Sequence, residues 1–452
     1  MRATLVLSGL MAAALSHAAV AAPGSAAPAP FDAAALRPVI ESVLRPEAPR
    51  LDAVYRDIHQ HPELAFQEKR TAALLAKEIR AAGFTVTEGV GGTGLVAVLA
   101  NGAGPTVLVR TELDGLPMAE RTGLPWASKA TTMWRGKETP VAHSCGHDIH
   151  MAAWLGAARA LAALRQTWSG TLLFVAQPAE EGVSGAAAML ADKMFERFGK
   201  PDYGFALHVT PAPAGTILYR SGVMSSTSDS LDITFHGRGG HGSTPSATID
   251  PVLMAARFTV DVQSVISREK DPAAFGVVTV GAIQAGEAGN VIPDTAVVRG
   301  TIRSQDEGVR TRLLAGVERT AKAVADMAGA PAPSLTITPG GKMVVNDAAL
   351  SARTTAVFKA AFGQQAQPLP LVMPGSEDFS EFVNAGVPSV YFLIGGLDPE
   401  VFAKAIKAGH LPVNHAPEFA PEAEPTIMTG ATAMALAVMN VARQSGSEAR
   451  PD

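Results

Sequence analysis

A single cysteine stands in the 452 residues. It is Cys145, set in His143-Ser144-Cys145-Gly146-His147-Asp148-Ile149-His150 among three histidines and an aspartate. With one thiol no intramolecular disulfide can form, so the fold must be held by core burial. A thiol separated by one residue from an imidazole is also a donor pairing suited to a soft-to-borderline metal ion. A buried structural cysteine beside hydrogen-bonded histidines is the competing reading of the same residues. A chain of this length can bury a sufficient core and is expected to divide into two or more domains.

The N-terminus reads as an export signal. Arg2 supplies a positive start, residues 3–15 are largely apolar, and Ala19-Val20-Ala21 offers a cleavage site. The apolar run is too short to span a bilayer, and the Ala- and Pro-rich stretch after it reads as a linker. Thus 1–21 is expected to be a signal peptide and 22–31 a linker, with a periplasmic or secreted destination. No cysteine follows the cleavage site to accept a lipid anchor, and no later segment reads as a membrane helix. Net charge is −5 with no basic stripe, so nucleic acid is not an expected partner, and with no long apolar segment after the signal no membrane is expected for the mature chain.

Beyond the linker the pattern predicts a helix over 36–59, interrupted near Pro46 and Pro49, and another over 68–82 closed by Gly83. Strands are expected over 85–88, 94–99 and 106–110, then a helix at 151–164, a strand at 170–177, a helix at 185–195 and a strand at 203–208. Such alternation implies an open α/β sheet covered on both faces. From residue 224 the order changes to βαββαβ, with strands at 231–236, 276–283, 295–303 and 334–338 and helices at 250–267 and 306–327. That order is a ferredoxin-like module inserted into the first domain. After Asn346 come a helix at 348–362, a strand at 389–393 and a final helix at 422–443. The expected architecture is α/β with two domains: an open α/β domain from 32–223 and 341–445, and an α+β satellite at 224–340.

Ligands of open α/β sheets bind beyond the carboxyl ends of the strands. Glu112 and Asp114 follow the strand ending at Arg110. Glu180 and Glu181 follow the strand ending at Gln177. His208 closes the next strand, and Cys145 and His147 lie in a loop before a helix. Convergence of three strand ends and a Cys/His loop points to a metal site. Within the Glu180-Glu181 pair, one carboxylate could bind metal while the other moves a water proton. Acidic residues at the start of the helix near Gly185 would read the same way taken alone.

Together these segments resemble the M20 family of metallopeptidases and amidohydrolases, and within it the branch of hippurate hydrolases, N-acyl-amino-acid amidohydrolases and auxin-conjugate hydrolases. The matching motifs run in order: His61-Pro62-Glu63-Leu64, Arg110 through Asp114 to Pro117, His143 to His150, Gln177-Pro178-Ala179-Glu180-Glu181, His241-Gly242-Ser243-Thr244-Pro245, Gly289-Asn290-Val291-Ile292-Pro293, Gly300-Thr301-Ile302-Arg303, Gly375-Ser376-Glu377-Asp378-Phe379 and His415. The resemblance implies two divalent metal ions, manganese or zinc, with nickel or cobalt also compatible with the donor set. It implies Cys145 as a bridging thiolate, with His147, Glu181, His208 and His415 as the other ligands and Glu180 as general base and then acid. Asp114, Asp148 and His150 would orient the ligands, although Asp148 and His150 could equally cap the helix that follows. His241 would polarise the scissile carbonyl, often from a partner subunit in similar proteins, or else be a polar loop residue. Asn290 and Arg303 could bind a substrate carboxylate or be satisfied strand-end residues. The implied substrate is an N-acyl amino acid or a short peptide, and the module could make a homodimer.

Two departures stand out. Glu112 replaces the family's usual Asp, and its extra methylene is expected to push the carboxylate outward, which puts an orienting role in doubt. Residues 125–143 form a longer segment, carrying Trp126, Met133, Trp134 and Arg135, that could wall the pocket or be a solvated insertion. Gly89 to Gly94 fits G-x-G-x-x-G, but it leads from strand to strand and so reads as a turn, not a nucleotide loop.

Overall fold

A computed structural model describes residues 31–443. The expected signal peptide, the linker up to residue 30, and the residues after 443 lie outside it. An eight-stranded sheet runs in the order Thr85–Val90, Gly94–Asn101, Gly170–Gln177, Thr106–Glu112, Tyr203–Pro213, Ser389–Leu397, Ile217–Tyr219, Ala366–Pro368. Its centre is parallel: Thr106–Glu112 pairs with both Gly170–Gln177 and Tyr203–Pro213, and Ser389–Leu397 continues alongside. Gly170–Gln177, Thr106–Glu112 and Ser389–Leu397 are buried along almost their whole length because both faces are covered.

Two helices on one face, His147–Ala163 and Ala423–Val441, cross at small residues. A Cβ on Gly156 would sit 2.8 Å from the Ala431 methyl, and one on Gly430 would sit 3.1 Å from that of Ala153. Close approach of the backbones is what lets His147–Ala163 lie almost wholly buried.

The inserted module is a four-stranded antiparallel sheet in the order Gly276–Ala285, Thr295–Ser304, Asp229–His236, Ser334–Pro339. Asp229–His236 alternates buried and open residues, as a sheet covered on one face should. Its own core includes Leu231, Ile233, Phe235, Phe258 and Leu313. Asp229 anchors it through Arg310, with Nη2 2.6 Å from Oδ1. The order of elements and the fold class are as the sequence implies. No helix among the described residues is long and apolar enough to cross a membrane.

Several details differ from expectation. The helix expected at 151 begins at His147, because Gly146 takes a left-handed φ of 91° and turns the chain straight into it. The strand expected to end at His208 continues to Pro213. The helix expected at 185–195 is broken into Gly185–Ala191 and Met194–Phe198 by Lys193 at φ 56°. A helix at Pro399–Ala408 was not expected; Val401, Phe402, Ala405 and Ile406 recur along it at helical spacing, yet none of its residues is buried. Gly89 to Gly94 is the turn of the antiparallel pair Thr85–Val90 and Gly94–Asn101.

The helix crossing is testable. Gly156→Leu should lower stability by about 1–3 kcal/mol through overpacking against Ala431 and Leu51. A urea midpoint unchanged at constant slope would show that the crossing has slack.

Candidate metal centre

The carboxyl ends of the central strands bring the sequence-predicted donors together. Cys145 Sγ lies 3.3 Å from His208 Nε2. His147 Nε2 lies 3.7 Å from a Glu180 oxygen and 4.0 Å from Glu181 Oε1. His415 Nε2 lies 3.4 Å from the same Glu181 oxygen. Single donor atoms of Cys145, His147 and Glu181 all fall within 4.8 Å of one another.

Hydrogen bonding sets the imidazoles for ligation. His147 Nδ1 is 2.7 Å from the Asp114 carbonyl oxygen, which fixes the proton on Nδ1 and leaves the Nε2 lone pair free. That Nε2 is buried and has no hydrogen-bond partner. His208 repeats the arrangement, with Nδ1 on the Val209 carbonyl at 2.7 Å. Burial pushes the pKa of both rings down to about 3, so they are neutral donors near pH 7. Burial, then the charges of Glu181 and Glu180, push the Cys145 thiol up. A divalent cation would reverse that by supplying the missing positive charge. Cys145, His147 and Glu181, with donor atoms within 4.8 Å of one another, His208 beside Cys145 and His415 beside Glu181, are a donor set that fits such a cation.

The supporting shell is equally ordered. Asp114 accepts the backbone N–H groups of Glu180 and Glu181, both at 3.0 Å. His150 accepts the Val209 N–H on Nε2 at 2.7 Å, so its Nδ1 carries the proton that Glu112 accepts at 2.7 Å. His150 therefore braces the segment carrying His208 and has no free nitrogen to ligate with. Glu112 is fully buried and turned inward, not outward as its extra methylene implied. Its second oxygen is 3.1 Å from Arg110 Nη1. Burial works against its charge, but Arg110 and then His150 outweigh burial and hold its pKa low. Asp148 is directed away from the donors: it accepts from Ile149 N–H at 2.9 Å and pairs with His59 at 2.6 Å.

Arg110 is the residue that motif reading underrated. It is completely buried and reaches Glu377 at 2.8 Å, Asp378 at 3.2 Å and the Gln177 amide oxygen at 3.0 Å. Glu180 lies beside this network. Burial raises its pKa well above the ordinary carboxylate range, and the charges of Glu377 and Glu181 add to that. Glu181 goes the other way: burial pushes it up, but the His415 hydrogen bond and the His147 charge outweigh this.

A cavity of about 630 Å³ opens onto the centre, lined by Cys145, Glu180, Glu181, His208, His415, the 373–377 segment and, from the inserted module, Ser228 and Arg303. Arg303 Nη1 is buried and unpartnered. Asn290 and His241 do not line this cavity. They lie exposed on the ribbon Gly240–His241 and Val291–Ile292, joined by the Gly242 N–H to Asn290 carbonyl bond at 2.8 Å. Residues 125–143 do not line it either. They form the hairpin Thr131–Trp134 and Lys137–Pro140, with Trp126 stacked on Arg56 at 3.9 Å.

Fold and site together define a metal-dependent hydrolase of amide or peptide bonds. Residues 108–440 match peptidase family M20/M25/M40. Thermostable carboxypeptidase 2 of Saccharolobus solfataricus is 31% identical over 388 residues, 85% of this chain and 93% of its own. Hippurate hydrolase of Campylobacter jejuni is 40% identical over 261 residues, 57% of this chain and 65% of its own. The crystal structure of Bacillus subtilis YXEP protein, described as a dinuclear metal binding peptidase from the M20 family, superposes with a TM-score of 0.70 at 27% identity, over 88% of this chain and 99% of that one. The chain belongs to the M20 family.

His59 provides a test of the shell that is independent of metal. It is buried between Asp148 and Glu120, with Nε2 3.0 Å from Glu120 Oε1. Burial alone would lower its pKa, but the two carboxylates outweigh burial and raise it to about 10. Between an unfolded value near ~6.5 and that folded value the native chain keeps the proton, so this stabilisation is complete below ~6.5 and is lost as pH rises through about 10. His59→Gln should cost about 3–5 kcal/mol at pH 7 by leaving two buried carboxylates uncompensated. The gap from wild type in urea unfolding should narrow as pH rises from ~6.5 to about 10; a gap independent of pH would contradict the assignment.

Proposed function

We propose that this chain is an exported amidohydrolase. Its substrates are N-acyl amino acids or similar small amides bearing a carboxylate, and its cofactors are two divalent cations held by Cys145, His147, Glu181, His208 and His415. Manganese or zinc suits the donors, with nickel and cobalt as further members of the same series. The export signal read in residues 1–21 supports a periplasmic or secreted destination.

The observation that carries the substrate class is Arg303. Its buried, unpartnered guanidinium nitrogen faces the same cavity as Glu180, and burial lowers its pKa. A cation held this way is stabilised by a substrate carboxylate. The likeness to hippurate hydrolase supports the same class.

The bound cations would supply Lewis-acid polarisation of a water and of the scissile carbonyl. Glu180, held by its backbone N–H on Asp114, takes the proton from the attacking water. It keeps that proton until the amide nitrogen leaves, and then delivers it to that nitrogen. Arg303 orients the substrate so that the carbonyl carbon meets the water. His241 and Asn290, exposed on the module ribbon, act in this reading from a second copy of the chain. A monomeric mass by light scattering at micromolar concentration would remove them from the mechanism.

A peptide substrate is the second reading. The likeness to a carboxypeptidase favours it, and a peptide's C-terminal carboxylate would use Arg303 equally well. A metal-containing binding protein without catalysis is a third reading, which a displaced Glu112 would favour; Glu112 is instead buried and paired with Arg110.

Mass spectrometry of products from a panel of N-acyl amino acids, dipeptides and longer peptides separates these readings. Glu180→Gln should lower kcat by roughly 10²–10⁴-fold with metal content unchanged. Arg303→Met should cost about 1.5–3 kcal/mol in kcat/KM on carboxylate substrates and nothing on their amide-capped analogues. Full activity of Glu180→Gln would overturn the mechanism, and equal loss on capped substrates would overturn the role of Arg303.

A further inference from the structure

Glu68 stands immediately before the helix Lys69–Ala81, where an acidic residue would ordinarily cap the helix or face water near its positive end. It does neither. Its side chain makes no capping bond, and the residue is 0% exposed. Its carboxylate crosses instead to a turn 111 residues away and accepts the Ala179 N–H on Oε1 at 2.8 Å.

That turn leads into Glu180 and Glu181. Ala179 has φ 49°, a left-handed conformation that a residue with a Cβ adopts only when its surroundings hold it there. A left-handed residue turns successive N–H groups towards one side and makes a concavity for anionic oxygen. Here the chain's own carboxylates fill it. Ala179 donates to Glu68, Glu180 to Asp114 Oδ1 and Glu181 to Asp114 Oδ2. Three consecutive donors are thus captured by two buried acids from different elements.

Glu68 is itself held. Its other oxygen accepts the Thr93 hydroxyl, from the glycine-rich turn before Gly94–Asn101. The same turn presses on the catalytic loop directly, since a Cβ on Gly94 would lie 2.8 Å from Pro178 Cδ.

We propose that Glu68 is a positioning residue. By anchoring the Ala179 N–H it stabilises the left-handed turn and aims Glu180 and Glu181 at the cavity, with Thr93 setting the angle of its carboxylate. The assignment of Glu180 and Glu181 rests on the function proposed above, so the test needs a readout other than turnover.

The experiment compares cobalt-substituted wild type, Glu68→Ala, Glu68→Gln and Thr93→Val. It reads the cobalt d–d absorption bands, cobalt affinity by chelator competition, and kcat and KM on the N-acyl amino acid panel. Glu68→Ala should shift the bands and lower kcat by about 10–100-fold, as expected for misplaced reacting groups, with KM changed little. Glu68→Gln, whose amide oxygen can still accept the Ala179 N–H, should restore the wild-type bands and most of the rate. Thr93→Val should lower kcat by ~3–10-fold, the equivalent of one hydrogen bond.

A folded Glu68→Ala with wild-type bands, affinity and kcat overturns the proposal. If Glu68→Ala does not fold, Thr93→Val decides, and unchanged bands and rate overturn it. A wild type that hydrolyses nothing on the panel, while Glu68→Ala still shifts the cobalt bands, refutes the functional reading and leaves the positioning role standing.

Discussion

One buried guanidinium organises this centre. Arg110 is sealed at the carboxyl end of a central strand, and a charge in that position is tolerable only when it is surrounded by opposite charge. Glu112, Glu377 and Asp378 provide it, and Gln177 takes the remaining nitrogen. Through Glu377 and Asp378 the C-terminal segment is tied to the sheet, and Tyr391 joins by donating its hydroxyl to Glu377 at 2.8 Å. Through Glu112 the order passes to His150, and from His150 to the backbone beside His208. Acids that would repel one another can therefore share a water-poor floor beneath Glu180.

The parallel sheet supplies the other half of the arrangement. Its four central strands, Gly170–Gln177, Thr106–Glu112, Tyr203–Pro213 and Ser389–Leu397, present their carboxyl ends to one side, so residues distant in sequence meet there without long loops. The imidazoles of His147 and His208 are each fixed by a backbone carbonyl on Nδ1, and the Glu180-Glu181 loop by Asp114. Binding geometry is thus established by hydrogen bonds before any cation arrives, which is the condition for precise catalytic placement. The inserted module adds Arg303 to the cavity and leaves its His241 ribbon exposed.

Much of this was legible in the chain. Strand ends, the lone cysteine among histidines and the paired glutamates pointed to the residues that do cluster, because residue chemistry and element boundaries are local properties. Glu112 was misread for a tertiary reason: one methylene added to a side chain has no fixed direction until Arg110 and His150 draw it in. Asp148 looked like part of the centre by spacing, yet its partner is His59, brought alongside by packing of the helix Ala48–Gln60. Glu68 carried no usable signal, since an acid at a helix start reads the same whether it faces water or another loop.

By itself, then, the sequence determined the alternation of elements, the inserted βαββαβ module, the family and the identities of the groups able to hold metal or move a proton. Those follow from periodicity, turn chemistry and residue type, which act over a few neighbours. Only the tertiary structure decided where each lone pair and charge points: Arg303 into the cavity, His241 and Asn290 away from it, Glu112 inward, Glu68 onto the Ala179 turn. The reason is that burial makes each orientation depend on every partner within hydrogen-bond reach, and those partners come from segments more than a hundred residues apart.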